Sequence, residues 1–178
     1  MARIPPSIPI EVDTETGIWS TDGMPMIYMP RHFFINNHLA VERALGREVY
    51  ARQLYEAGYR SAWQWCEKES KTHGLRGTDV FRHYMKRVSQ RGWAQFSVMT
   101  LNEATGAATV RLDHSVFIYG DGNRPGERTC YMFAGWMPGA LEWAASDSGK
   151  TWKLLGEETQ CACENGHDHC LFEIRPAR

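Results

Sequence analysis

The first half of the chain carries a helical pattern of apolar residues. After Pro30, a residue suited to a helical first turn, come His32, Phe33, Phe34, Ile35, Leu39, Val41 and Leu45, with Gly46 as the stop. A second helix is predicted from about Arg47 to Ser70. In it Val49, Leu54, Tyr55, Tyr59, Ala62, Trp63 and Cys66 recur mostly three to five apart and make one apolar stripe. Gly58 in its middle costs about 1 kcal/mol against Ala and gives room for a close helix crossing. The run Lys71–Gly77 breaks the pattern. Thr78 and Asp79 are N-cap candidates for a third helix, on which Val80, Phe81, Tyr84, Met85 and Val88 face inward until Gly92. Its other face, with Arg82, Lys86, Arg87 and Arg91, reads as solvated.

From Trp93 the period drops to two. Trp93–Leu101 and Ala107–Tyr119 read as strands joined by a hairpin at Asn102–Gly106. Val110, Leu112, His114 and Val116 fall on one face; Arg111, Asp113, Ser115 and Phe117 fall on the other. Asp121–Gly126 is a loop, and residues 128–145 form a helix with a kink expected at Pro138-Gly139. Asp147-Ser148-Gly149 closes it. A last hairpin runs through Trp152, Leu154 and Leu155, reverses at Asn165-Gly166, and returns through Leu171, Phe172 and Ile174. Five of the eight prolines lie in residues 1–30, so this lead-in is expected to be extended and irregular, packing on its own domain or on a second copy. The pattern predicts a single α+β domain, an antiparallel sheet of about four to five strands against four or more helices. Residues 1–26 read as a Pro-rich arm and 27–178 as the ligand-binding domain.

Composition narrows the function. A chain of 178 residues supports one real core, and a formal net charge of -1 gives no reason to expect direct nucleic-acid binding. Seven Trp, seven Tyr and seven Phe suit a core, or a pocket for a flat apolar ligand. No run approaches the roughly 20 apolar residues of a membrane span. Met1-Ala2-Arg3 is not followed by an apolar run, so no signal peptide is expected and the cytoplasm is the expected location. Five cysteines in a reducing compartment favour metal or buried thiols over a disulfide framework. Three of them, Cys161, Cys163 and Cys170, fall in the last hairpin among Glu164, His167, Asp168 and His169. The hairpin brings Cys161 or Cys163 on one arm near Cys170 on the other, within reach of one ion. The other reading is that Cys130 and Cys161, like Cys66 on its helix stripe, are small buried apolar residues. Asp113, His114 and Ser115 cannot converge as a triad, because neighbours on a strand alternate faces. No Gly-x-Ser-x-Gly turn and no phosphate loop or dinucleotide fingerprint occurs.

Three pieces in order carry a resemblance. They are Ala44-Leu45-Gly46 followed by Leu54-Tyr55-Glu56-Ala57-Gly58; Cys130-Tyr131-Met132-Phe133-Ala134-Gly135-Trp136 with Gly139; and Glu158-Thr159-Gln160-Cys161, then a glycine, Cys170 and Phe172. Over about residues 27–176 the chain resembles the 4-vinyl-reductase-like domain family, in the superfamily of NO-signalling and Golgi-transport ligand-binding folds. The resemblance implies an α+β fold, commonly a homodimer, with a buried pocket for a small hydrophobic molecule. Members include sensor domains of phenol-responsive activators and proteins linked to pigment synthesis. It also implies a structural zinc (Zn2+), at positions matching Cys130, Glu158, Cys161 and Cys170. The loop between the last two cysteines is one residue longer than the family's, so Cys163 competes with Cys161. For the pocket, it points to the region of His114, Phe117, Trp136 and Trp143.

The residues add conditions. Glu158 and Cys161 are three apart, so on a flat strand they point to opposite faces; a bulge or bend is needed to aim both at one ion. Three thiolates and a carboxylate carry four negative charges against two positive, so backbone N–H groups or a cation must stand nearby. His167 and His169 offer a neutral alternative, Cys2His or Cys2His2 in type. The expected function is a zinc-stabilised domain that binds a small hydrophobic or aromatic molecule as sensor or carrier and passes its state to a partner. The alternatives are an enzyme or accessory subunit in a catabolic or pigment pathway, and a dimeric scaffold.

Overall fold

The computed structural model describes residues 8–118, 127–164 and 166–177. Pro5, Pro6, Asn165 and the expected loop at Asp121–Gly126 lie outside the described residues. The elements run β1 (Glu11–Val12), β2 (Trp19–Thr21), β3 (Met24–Met26), α1 (Arg31–Leu45), α2 (Arg47–His73), α3 (Thr78–Gln90), β4 (Gln95–Leu101), β5 (Ala108–Asp113), α4 (Tyr131–Asp147), β6 (Leu154–Gln160) and β7 (Cys170–Pro176). This is the expected α+β domain. Its main sheet is antiparallel throughout in the order β4-β5-β7-β6, and a second sheet has the order β1-β2-β3.

The packing centres on α4, which is apolar on nearly every side and buried from Phe133 to Ala145. It crosses α2 backbone to backbone. A Cβ on Gly58 would overlap the Met132 carbonyl, one on Gly135 the Tyr55 carbonyl, and one on Gly139 the Tyr59 carbonyl. On its far side α4 meets β6, where a Cβ on Gly156 would overlap the Ala134 carbonyl. Pro138 stands within α4 and removes the N–H that would have bonded that same Ala134 carbonyl. The glycines therefore set how closely three layers stack, and the room expected at Gly58 is used for this crossing.

Four local expectations are corrected. Thr78 and Asp79 do not cap α3: the cap is Gly77, whose N–H donates to Asp147 Oδ2 at 2.8 Å, so the end of α4 holds the start of α3. The basic face of α3 is solvated only at Arg82 and Lys86; the side chains of Arg87 and Arg91 are buried and their guanidinium groups face Asp22. The second strand ends at Asp113, where His114 turns into the left-handed region at φ 58°, breaking the alternation and sending Ser115, Val116 and Phe117 inward together. The Pro-rich lead-in is not irregular from Glu11 to Met26: it is a small meander, turned at Asp13, whose carboxylate accepts from the N–H groups of Glu15 and Thr16. The arm packs on its own domain through Asp22.

Candidate functional site

Cys130, Glu158, Cys161 and Cys170 come together although they start on three different elements. Cys130 is the N-cap of α4, Glu158 lies on β6, Cys161 just follows β6, and Cys170 opens β7. All four are buried, and one ligand atom from each lies within 4.8 Å of the others. The strand carries the needed irregularity. Glu158 pairs with Phe172 and Gln160 with Leu171, so Thr159 is the extra residue of a bulge. The bulge resets the alternation, and the carboxylate and the next thiol turn to the same side.

Burial and the neighbouring Cys161 push the Glu158 carboxyl up to about 8. Burial likewise pushes the Cys130 thiol well up. Hydrogen bonds from Cys130 and Cys161, joined by the Ala162 N–H 3.4 Å away, bring Cys170 down to about 5. The cluster thus favours a thiolate at one corner. Glu158 Oε2 accepts from the Cys130 N–H at 3.1 Å, while Glu158 Oε1 is buried with no hydrogen-bond partner among the described residues. An unpaired buried carboxylate oxygen costs roughly 1–3 kcal/mol unless something meets it. Soft sulfurs with one oxygen are a donor set that suits zinc. The positive charge required nearby is present. Arg128 donates to the Glu158 carbonyl at 2.7 Å and to Glu164 at 2.9 Å, and the positive N-terminal end of α4 faces the cluster at Cys130. The residues fit a closed four-ligand ion.

The competing ligands stand outside that set. Cys163 Sγ lies 2.8 Å from Cys161 Sγ and 2.6 Å from the Glu127 carbonyl. His167 is exposed, and His169 is engaged by Asp168 at 2.6 Å and by the Gln160 side chain.

The pocket residues separate. Phe117 and Trp136 are buried against one shared ring, Phe133, each with centroids 5.0 Å from it. Tyr84, Trp93 and Phe96 complete a nest around Trp136. Inside it Trp136 Nε1 is buried and donates to nothing among the described residues. Trp143 is buried about two turns further along α4, and His114 is exposed. The imidazole that packs on Phe117 is His38 of α1, at 4.9 Å, hydrogen-bonded to Tyr50 and Thr129. His38 and Glu42 are four apart on a stripe that buries Ile35, and that spacing was the signal for them. A second cluster also escaped the sequence reading: Glu69, His73 and His83, with ligand atoms mutually within 4.8 Å.

No helix among the described residues is long and apolar enough to cross a membrane. The fold is of a class with solved relatives. It is similar to the phenol-responsive sensory domain of the transcription activator PoxR, crystallised with phenol, with a TM-score of 0.74 and 16% identity over 94% of this chain and 84% of that one. It is also similar to trafficking protein particle complex subunit 3 from Naegleria fowleri, covalently bound to palmitic acid, with a TM-score of 0.58 and 14% identity over 83% of this chain and 95% of that one. No curated protein matches the sequence. The chain belongs to the family described as "Domain of unknown function (DUF5943)", whose model matches residues 4–99.

Proposed function

We propose that this is a small-molecule-binding domain, a sensor or carrier, for an aromatic or otherwise apolar ligand bearing one polar group. The observation that carries the reading is the Trp136 indole N–H, an unpaired donor enclosed by aromatic rings. Such a donor holds one oriented acceptor while the rings take up apolar surface. Fold relatives whose structures contain phenol and palmitic acid support the ligand class. The test is titration with phenol, followed by tryptophan fluorescence and native mass spectrometry. Saturable binding that Trp136→Phe weakens roughly tenfold, about one hydrogen bond to a buried donor, is expected. Binding equal in the variant, or no saturable binding, overturns the reading.

The same proposal includes a structural zinc held by Cys130, Glu158, Cys161 and Cys170. The ion would supply cross-linking, tying the start of α4 to the end of the β6–β7 hairpin, with no open position for chemistry. Glu158 Oε1 is the atom that supports it. Protein purified without added metal should carry one equivalent of zinc; well under one, with normal folding, overturns this part.

A further inference from the structure

We propose that Glu69, His73 and His83 form a second metal site, for an exchangeable divalent ion of the zinc class, where α2 meets α3. It does not depend on the thiol cluster or on the aromatic nest. Glu69 and His73 are four apart near the end of α2 and so share one face. His83 comes from α3, its ring stacked on Trp65 with centroids 5.9 Å apart, which sets its direction.

The spacings match what a small ion needs. Bonds of about 2.0–2.1 Å to nitrogen and oxygen at tetrahedral angles put neighbouring ligand atoms roughly 3.3 Å apart. Glu69 Oε2 lies 3.2 Å from His73 Nε2 and 3.0 Å from His83 Nε2. The second, independent observation is the other oxygen of the same carboxylate. Glu69 is fully buried, and its Oε1 has no hydrogen-bond partner among the described residues. A carboxylate closed off from water keeps both oxygens satisfied, and an ion between the two imidazoles, bound by both oxygens of Glu69, meets the unpaired one along with Oε2.

The charges around the site bear on what it holds. Asp22 Oδ2 stands 3.9 Å from His73 Nε2, and Arg87 and Arg91 face that same oxygen. Asp22 and Glu69 together balance the two guanidinium groups, so a bound ion adds net positive charge. Three protein ligands leave a fourth position, and the partly exposed His73 puts it at the surface. That position therefore favours an anionic ligand such as hydroxide or a small carboxylate. The thiol cluster differs on both counts, being closed and rich in negative charge.

Cobalt separates the two sites. Cobalt bound by thiolate shows a sulfur-to-metal charge-transfer band; cobalt bound by imidazole and carboxylate shows only visible ligand-field bands. The full-length chain, titrated with Co2+ alone, is expected to bind an equivalent with ligand-field bands and no added charge transfer. His73→Ala and His83→Ala should each weaken that equivalent roughly tenfold or more and leave charge-transfer binding unchanged. Cys170→Ser should do the reverse. Far-UV circular dichroism checks folding; if His83→Ala does not fold, the more exposed His73→Ala decides alone. Failure to find any histidine-dependent binding free of charge transfer overturns the site, whatever the thiols do.

Discussion

Two regions each bury a carboxylate with one oxygen left unpaired, Glu158 beside three thiols and Glu69 beside two imidazoles. They are built differently. The ligands of the first lie far apart in sequence, on α4 and on both strands of the last hairpin, and all are buried. The ligands of the second come from the adjacent helices α2 and α3, and His73 reaches solvent. An ion in the first would be enclosed by four buried ligands, so occupancy and folding would be one event. An ion in the second would be held by three ligands at a site that His73 opens to solvent, so it can come and go. Similar carboxylate geometry would thus serve a clamp in one place and a port in the other.

The largest expected effect comes from emptying the first cluster. Chelation, or Cys170→Ala, should remove the zinc and lower unfolding free energy by several kcal/mol, approaching about 10 if the site behaves as structural zinc sites do in small domains. Urea unfolding with and without chelator measures it. A shift under about 1 kcal/mol would erase the distinction between clamp and port.

Glu158→Gln tests the same corner with a change of sign. In metal-free protein the folded carboxyl titrates at about 8, against an ordinary 4.5 when unfolded. Between those values the folded state holds the proton more tightly, so the contribution of Glu158 to stability falls as pH rises through the window. Glutamine does not titrate. The metal-free variant should therefore match wild type near pH 4 and exceed it increasingly toward pH 8–9, by up to about 5 kcal/mol at roughly 1.4 per pH unit. Added zinc should reverse the order, because the neutral amide is the poorer ligand. A gap independent of pH would mean that Glu158 is not held in a dry site.

Gly135→Ala comes next. Its Cβ would enter the Tyr55 carbonyl, and backbone cannot rotate away as a side chain can. A cost of about 1–3 kcal/mol is expected. Because α4 also carries Cys130, the variant should release zinc more readily. Exchange of imidazole-bound cobalt should not change. Equal effects on both would show that the two regions are coupled through α2.

How much of this was legible in the sequence depends on distance along the chain. The helices were marked by a single period and by Gly46, and Gly58 announced its own crossing. The thiol-cluster positions were legible through the resemblance, with Cys161 and Cys163 left as competitors, and the bulge or bend expected between Glu158 and Cys161 is the bulge at Thr159. Contacts between remote segments were not legible. Nothing near Arg87 or Arg91 says that Asp22, some 65 residues earlier, would neutralise them. Gly77, held by Asp147, displaced Thr78 and Asp79 as the cap because α4 ends where α3 begins, a fact of packing rather than propensity. Strand alternation placed His114 beside Val110 and Leu112, and one left-handed residue undid it. His38 took the place next to Phe117, from a helix whose apolar stripe drew attention away from its buried polar residues.

The smallest effect on folding is expected for His73→Ala, and its smallness is the point. The side chain is a third exposed, and its loss leaves the buried Glu69 carboxylate still held by His83 at 3.0 Å, so without metal the change should cost about 1 kcal/mol. Metal then separates the proteins. An ion that binds only the folded state stabilises by RT ln(1 + [L]/Kd), about 2.7 kcal/mol at a hundredfold excess over Kd. Wild type should climb along that curve as zinc is added beyond the first equivalent, while His73→Ala stays flat. Cys170→Ala starts lower and should still climb, because its histidine site is intact. Parallel curves for wild type and His73→Ala would leave the α2–α3 cluster as an ordinary ion-pair network, with the thiol corner alone in binding metal.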